Sequence, residues 1–257
     1  MVSSHTESTM WPGSRAVSDL ELLQIEIDML WGINQARLID GPDLVVACAS
    51  TGVFATVSKA VPEDVARAVL GEVADVRVPA DISAPPPLLE RWRRLLEDVL
   101  GEIELAPGSG PSYLIEDHVA FPASIPLVRS DAEDFGRLRG ANPGNWGDDE
   151  WQDLLDGRRG PWVMARHADH VISICHTPVS STRAAEAGVW THPDFRGHGY
   201  AAATTAEWAA LVRPSGRLLF YSTSRTNWSS QKVAARLGLR PIGFRWQLRR
   251  LCPRAGT

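Results

Sequence analysis

The most constraining feature of the sequence is a glycine loop between an apolar run and a helix-forming segment. Residues 185–191 are typical of a buried strand, and Pro193 ends it because proline cannot donate to a sheet ladder. Gly197 and Gly199 follow, and the alanine-rich residues 201–212 then favour a helix. The stretch predicts a strand–loop–helix unit with its glycines at the first turn of the helix.

Such a unit is suited to binding an anion, because the first N–H groups of a helix lack partners and the helix dipole is positive there. Gly197 and Gly199 have no Cβ atoms, so a phosphate can approach the main chain, and Arg196 adds a cation. Ala202 replaces the third glycine of the dinucleotide fingerprint, and no Gly-Lys-Ser/Thr follows as in a P-loop. The glycines alone leave open a tight turn without any ligand.

Three linked segments resemble the GNAT superfamily of N-acetyltransferases. Residues 196–201, Arg-Gly-His-Gly-Tyr-Ala, are similar to the family's pyrophosphate loop, Arg/Gln-x-x-Gly-x-Gly/Ala. Residues 222–230 resemble the segment in which a strand ends at a cofactor-binding asparagine with a serine three residues later. Residues 236–244 are similar to the family's "Leu-Gly-Phe … Gly-Phe" close. The resemblance covers residues 126–250.

The resemblance implies an α/β (α+β) fold with a mixed, mostly antiparallel central sheet flanked by helices. It implies acetyl-CoA as cosubstrate, with the pantetheine arm on strand main chain, the pyrophosphate on the glycine loop, and no metal. The residues that it assigns to the cofactor are Val189, Trp190, Thr191, Arg196, Gly197, His198, Gly199, Tyr200, Ala201, Ala202, Asn227 and Ser230.

In such enzymes an amine attacks the thioester directly, so a base and an acid are needed. Glu186 is the candidate base, since it lies on the strand leading to the loop; the alternative is a solvent-facing strand end. Strand alternation places it on the face of Trp190, opposite Val189, unless a bulge intervenes. Ala234 stands where the family often has the acidic tyrosine, and the nearby phenols, Tyr200 and Tyr221, do not occupy that place.

The leading hypothesis is therefore an N-acetyltransferase that acts on an amine of a small molecule or peptide. Ala234 favours the alternative, a non-catalytic acyl-CoA-binding sensor. An ATP-dependent enzyme is disfavoured, because no acid suited to binding magnesium follows a strand. The acceptor is left open, and a homodimer is one assembly that the sequence allows.

Composition and charge argue against membrane-spanning, secreted and nucleic-acid-binding proteins. A hydrophobic fraction of 44% and a charged fraction of 22% are ordinary for a globular protein, and no apolar run approaches the ~20 residues of a membrane span. The net charge of −5 argues against nucleic acid as a partner. Three separated cysteines, Cys48, Cys175 and Cys252, fit a reducing compartment, and the polar first residues carry no secretory pattern. We expect a cytoplasmic protein with no membrane partner.

The first half of the chain predicts a flexible tail, residues 1–17, and an α/β domain, residues 18–120. Ser18 and Glu21 predict a capping box that opens a helix. The other predicted elements are strands at 44–49 and 52–57, helices at 62–73 and 88–100, a loop at 107–111 and a strand at 113–115. This half lacks the glycine loop, and a degenerate second copy of the fold is one origin that the sequence allows.

The predicted acetyltransferase domain spans residues 121–257. A strand at 125–128 precedes helices beginning near Asp131 and Asp148, and the irregular residues 140–147 lie between them. Trp146 and Trp151 are either ordinary packing residues or part of an acceptor pocket. The remaining predictions are a hairpin at 162–175, a strand at 218–221 and a helix at 229–237.

Overall fold

The computed structural model describes residues 17–101, 103–132 and 138–251. Its helices are α1 (Asp19–Trp31), α2 (Glu63–Ala74), α3 (Leu89–Val99), α4 (Asp148–Leu155), α5 (Tyr200–Val212) and α6 (Trp228–Arg236). Its strands are β1 (Ile33–Asn34), β2 (Arg37–Leu38), β3 (Leu44–Ala49), β4 (Gly52–Ser58), β5 (Leu105–Leu114), β6 (Leu127–Arg129), β7 (Trp162–His167), β8 (His170–His176), β9 (Ala184–Glu186), β10 (Gly188–Thr191), β11 (Leu218–Ser222) and β12 (Arg240–Arg250).

In the described residues these strands form two adjoining sheets. The larger has the order β1-β2-β4-β3-β12-β5-β11-β9, and the smaller has the order β10-β8-β7-β6. Pairing is antiparallel except between β2 and β4 and between β9 and β11. The mixed, mostly antiparallel sheet flanked by helices is the predicted fold class, which is confirmed.

Alternate residues of each strand point to opposite faces of the sheet, so the core consists of separate clusters on the two faces. Helix α1 packs on one face of the larger sheet, beside inward residues of β3 such as Val45 and Ala47. Helices α2 and α3 cover the opposite face near β3 and β12, whereas α5 and α6 cover it near β11. Helix α4 packs on the smaller sheet through Trp151 and Leu154. The site described below lies where α5 and α6 meet the two sheets.

The predicted loop at residues 107–111 is wrong, because these residues lie inside β5. This strand runs between β12 and β11, with Gly110 opposite Arg245. A Cβ atom on Gly110 would lie 1.7 Å from the carbonyl oxygen of Thr223, so the approach of the two backbones requires glycine. The Pro111 carbonyl still accepts from Thr223 N at 3.3 Å. Tertiary pairing has overridden the turn preference of a proline- and glycine-rich segment.

Strand pairing crosses the predicted domain boundary after residue 120. Strand β12, near the end of the chain, pairs with β3 on one side and β5 on the other, and both precede the boundary. The first half therefore contributes strands to the same sheet as β11 and β12. The division into two domains stays a prediction, and the predicted tail lies outside the described residues except for Val17.

Most other elements follow the sequence predictions. The Ser18–Glu21 capping box is present, and β3, β4, α2, α3 and α4 match the predicted segments closely. The predicted helix near Asp131 falls mainly on residues outside the description. Cys48 and Cys175 are buried free thiols, while Cys252 is not described. Of the described helices, none has the length and apolarity needed to cross a bilayer.

Two glycine substitutions should have opposite effects on stability. Gly110→Ala should lower the free energy of unfolding by about 3 kcal/mol, because the added methyl group meets backbone. Gly71→Ala, at an exposed position of helix α2 with open space around the new methyl group, should raise it by about 1 kcal/mol. Urea denaturation of both variants measures the difference. A Gly110→Ala protein as stable as the wild type would contradict the close packing of β5 against Thr223.

Candidate active site

The site is organised by a strand that changes partners. Strand β9 pairs in parallel with β11, and Ala187 N still donates to Phe220 O at 2.9 Å. Beyond Ala187 the chain continues as β10, which pairs with β8 instead, while β11 continues beside β5. Within the described residues no ladder joins β10 to β11. The two strands therefore diverge and leave an opening between them.

A cavity of about 620 Å³ lies at this opening. Most of the predicted cofactor residues line it, and they come from the glycine loop, β10 and α6. The lining residues are Val189, Thr191, Phe195, Arg196, Gly197, Gly199, Tyr200, Ala201, Ala202, Tyr221, Asn227, Ser229, Ser230, Lys232, Val233 and Arg236.

Two predicted cofactor residues do not line the cavity. Trp190 packs on the other face of the smaller sheet, against the cluster that contains Trp151. The exposed His198 ring has its Nδ1 2.9 Å from the Arg196 carbonyl oxygen and stacks on Tyr200. His198 therefore holds the loop from outside, and any contact of Trp190 with a ligand in this cavity would come from its main chain.

The glycine loop needs its glycines for conformational reasons. Gly197 has φ 85° and Gly199 has φ 90°, values that other L residues rarely adopt. Gly199 is the N-cap of α5, and its carbonyl accepts the intrahelical bond from Ala203 N at 3.0 Å. The N–H groups of Tyr200, Ala201 and Ala202 precede that bond, so they are the unpaired donors of the first helical turn. They lie at the wall of the cavity.

The opposite wall is formed by the start of α6. Asn227 is the N-cap of this helix, and its Oδ1 accepts a hydrogen bond from Ser230 N at 3.1 Å. Lys232 and Arg236 face the cavity from the next turns of α6, across from Arg196. The sequence analysis did not assign these two cations to the site. Their four-residue spacing after a helix-capping asparagine was the available signal that they share one face.

Tyr221 also lines the cavity, although its position in the sequence did not assign it a role. Its ring is 2% exposed, and its hydroxyl oxygen lies 2.6 Å from Ser230 Oγ. Burial raises the pKa of Tyr221 to about 12, so the phenol stays protonated at neutral pH. Ala234 is fully buried in the same cluster. Tyr221 thus brings a phenol from β11 to the cavity that α6 lines.

Glu186 lies on the other face of the diverging strand. Val189 and Thr191 line the cavity, whereas Trp190 packs on the opposite side, so the predicted alternation continues through the break at Ala187. Glu186 is only 6% exposed, and the alternative of a solvent-facing strand end is wrong. Its Oε1 accepts from Ser222 N at 2.8 Å and from Ser222 Oγ at 2.7 Å.

The charge state of Glu186 is shifted toward neutrality. Burial raises its pKa to about 7, the carboxylate of Glu26 acts in the same direction, and Arg245 and Ser222 oppose both. A carboxyl group with such a pKa can exchange a proton near neutral pH, as a general base requires. Its role as the base stays a prediction.

Trp146 and Trp151 have different surroundings. Trp151 is buried at the start of α4, and its Nε1 donates to the Leu138 carbonyl at 2.9 Å, which is a packing role. Trp146 contacts the His176 ring edge-on at 4.8 Å between centroids. Burial lowers the pKa of His176 to about 4, so this histidine is neutral at physiological pH.

Within the residues that the structure describes, no group of three or more histidine, cysteine, aspartate or glutamate side chains is arranged to hold a metal ion. The absence of a metal requirement stays a prediction.

Comparison with known proteins gives a family match over part of the chain. Residues 117–240 match the family model of the acetyltransferase (GNAT) domain. This match, over residues 117–240, confirms the resemblance drawn from the glycine loop and its two companion segments. No curated protein matches the chain.

The solved structures to which the chain is similar include three described as GCN5-related or GNAT proteins. A GCN5-related N-acetyltransferase-like protein from Streptococcus suis has 17% identity and a TM-score of 0.45, with 81% of this chain and 85% of that chain covered. A GCN5-related N-acetyltransferase from Kribbella flavida has 17% identity, a TM-score of 0.45 and 66% coverage of both chains. A tandem GNAT protein from the clavulanic acid biosynthesis pathway has 15% identity and a TM-score of 0.45, with 84% and 78% covered.

The cap of α6 can be tested apart from any ligand. Asn227→Ala should lower the free energy of unfolding by about 1 kcal/mol, because Ser230 N loses its side-chain acceptor. Asn227→Asp should stay close to the wild type, since aspartate caps equally well. Thermal and urea denaturation measure both variants. Equal stability of Asn227→Ala and Asn227→Asp would show that the Asn227–Ser230 bond does not hold the helix start.

Proposed function

We propose that the protein is an N-acetyltransferase that transfers an acetyl or related acyl group from acyl-CoA, with acetyl-CoA as cosubstrate, to an amine of a small molecule or peptide. One observation carries the proposal. The cavity at the divergence of β10 and β11 is lined both by the glycine loop and by the start of α6, with Arg196, Lys232 and Arg236 around it. Unpaired helix donors beside three cations suit a ligand that carries several phosphates.

The cofactor would lie along this cavity. Its pyrophosphate would accept hydrogen bonds from the main chain of residues 197–202, with Arg196 beside it. Its pantetheine arm would pair with the main chain of Val189, Trp190 and Thr191, whose edge does not pair with β11. Asn227 and Ser230 would contact it from α6, and Lys232 and Arg236 would add attraction for the phosphates.

The reaction would be a direct acyl transfer. The amine nitrogen attacks the thioester carbonyl, a C–N bond forms, and the C–S bond then breaks to release a thiolate. A main-chain N–H near Val189 would stabilise the developing oxyanion. Glu186 would accept the proton that the amine loses. Tyr221, protonated and hydrogen-bonded to Ser230, would supply the proton to the thiolate in place of the tyrosine missing at Ala234.

The alternative, a non-catalytic acyl-CoA sensor, is favoured only by Ala234. Release of free thiol from acetyl-CoA with a panel of primary amines separates the two. Amine-dependent thiol release supports the enzyme, whereas tight acetyl-CoA binding without release supports the sensor. The amine acceptor, a cytoplasmic location, a homodimer and the absence of nucleic-acid or membrane partners stay predictions.

A charge at the first turn of α5 should abolish cofactor binding. Ala201→Glu places a carboxylate at the cavity wall, where it would repel phosphate, and we expect a loss of affinity for acetyl-CoA of about 100-fold or more. The helix should tolerate the change because acids are favourable at helix starts. Ala210→Glu, on an exposed position of the same helix, is the matched control. Calorimetric titration measures both, and wild-type affinity in Ala201→Glu would refute the site.

Removing one hydroxyl group tests the proton donor. Tyr221→Phe keeps the ring packed against α6 but should lower kcat by about 100-fold, because the thiolate loses its acid. The KM for acetyl-CoA should change little. Tyr200→Phe, whose hydroxyl has no proposed role, is the control. Steady-state kinetics at neutral pH measure the effect, and an unchanged kcat in Tyr221→Phe would leave protonation to water.

A further inference from the structure

The face of the larger sheet that α1 covers contains a buried cluster of charges. Glu26 projects from α1 and is fully buried, and Glu186 projects from β9. Arg245 projects from β12, and its Nε lies 3.3 Å from Glu26 Oε2. Two carboxyl groups thus share a water-poor interior with one guanidinium group.

Neighbouring side chains contact both the guanidinium group and the carboxyl groups. Arg245 Nε also donates to Ser112 Oγ at 2.9 Å, and its guanidinium group lies 5.3 Å from the centre of the Trp31 ring. Glu186 Oε1 accepts from Ser222, which is the register partner of Ser112 on the neighbouring strand, so the two carboxyl groups are held at adjacent positions of the sheet. Among the described residues, Glu186 Oε2 is buried without a hydrogen-bond partner. A fully ionised carboxylate would not leave such an atom uncompensated at low cost.

The other titratable groups around Glu186 do not supply a second positive charge. Cys175 on β8 and Tyr221 on β11 both interact with it electrostatically, and burial raises the pKa of each, so both are neutral at pH 7. At the rim, Arg240 is already paired with Asp19 and Glu116. The exposed Arg183, just before β9, faces the groove outside α1. Arg245 is therefore the cation that faces the pair in the described interior.

We propose that Glu26 and Glu186 form a carboxyl–carboxylate pair that shares one proton and is balanced by Arg245. Two like charges at close range in a buried site cannot both be ionised cheaply, whereas one carboxylate and one guanidinium group compensate each other. Burial also raises the pKa of Glu26, and the charge of Glu26 raises that of Glu186, in agreement with this arrangement.

The pair connects the N-terminal half of the chain to the candidate base. Glu26 belongs to the first helix, so the N-terminal half sets the charge state of the candidate base through a positioning residue that need not touch substrate. This consequence rests on the proposed function, whereas the shared proton does not. The two statements can therefore fail separately.

Titration of the wild-type protein tests the pair without any substitution. With glutamate labelled by carbon-13 at the side-chain carboxyl, two resonances should titrate well above the ordinary range, and together they should retain about one proton near neutral pH. Glu26→Gln and Glu186→Gln assign the two resonances. Glu104→Gln, at an exposed position, is the matched control and should leave both unchanged.

The same pair predicts the pH dependence of stability. The folded-state pKa values are raised above the ordinary 4.5, so the stabilisation is complete below that pH and is lost as pH rises through the folded values, about 7 for Glu186. Glu26→Gln removes one carboxyl group, so the remaining carboxylate is balanced by Arg245. We expect a smaller fall in stability between these pH values in this variant, although burial still raises the pKa of Glu186, while Glu104→Gln keeps the full fall.

Kinetics then test the link to catalysis. Removing the charge of Glu26 should lower the pKa of Glu186, so the acidic limb of the kcat/KM profile should move to lower pH by about one unit or more. The KM for acetyl-CoA should be unchanged. A Glu186 titration that does not move in Glu26→Gln would overturn the pair, and so would a wild-type protein in which both carboxyl groups titrate in the ordinary range. A moved titration with an unmoved rate profile supports the pair and removes Glu186 as the base.

Discussion

The site depends on one change of hydrogen-bonding partner, at Ala187. The N–H of this residue makes the last bond to β11, and the following strand pairs with β8 instead. Because backbone groups in a sheet are normally paired on both sides, a strand that leaves its neighbour creates an edge where an extended ligand can bind. The glycine loop and the start of α6 lie at the mouth of that opening. The proposed phosphate site depends on this opening between β10 and β11.

The N-terminal half is structurally tied to that opening. Strand β5 pairs with the edge of β11 that lies opposite β9. It can do so only because Gly110 lets its backbone approach Thr223 closely. On the far side of the sheet, Glu26 reaches the interior that also contains Glu186 and Arg245. The half that lacks a recognisable motif therefore contributes both a structural strand and a buried charge.

Two departures from expectation have the same physical origin. The segment 107–111 was predicted to be a loop from its proline and glycine content, yet it is a central strand because both neighbouring strands pair with it. The family's usual tyrosine position is a buried alanine, Ala234, and the phenol at the cavity comes from Tyr221 on another element. Local preferences cannot reveal the pairing of residues 107–111 or the place of Tyr221, because each depends on which segment of the chain lies alongside.

The sequence by itself determined the local units: the strand–glycine loop–helix around Gly197 and Gly199, the capping box at Ser18, and the helix opened by Asn227. These depend on contacts within a few residues, where composition and spacing act directly. It also determined the alternation that separates Glu186 from Val189. The tertiary structure alone decided that Lys232, Arg236 and Tyr221 line one cavity with the loop, that β5 enters the sheet, and that Glu26 meets Arg245. Those pairings join residues far apart in the chain, and only the packing of the whole sheet brings them together.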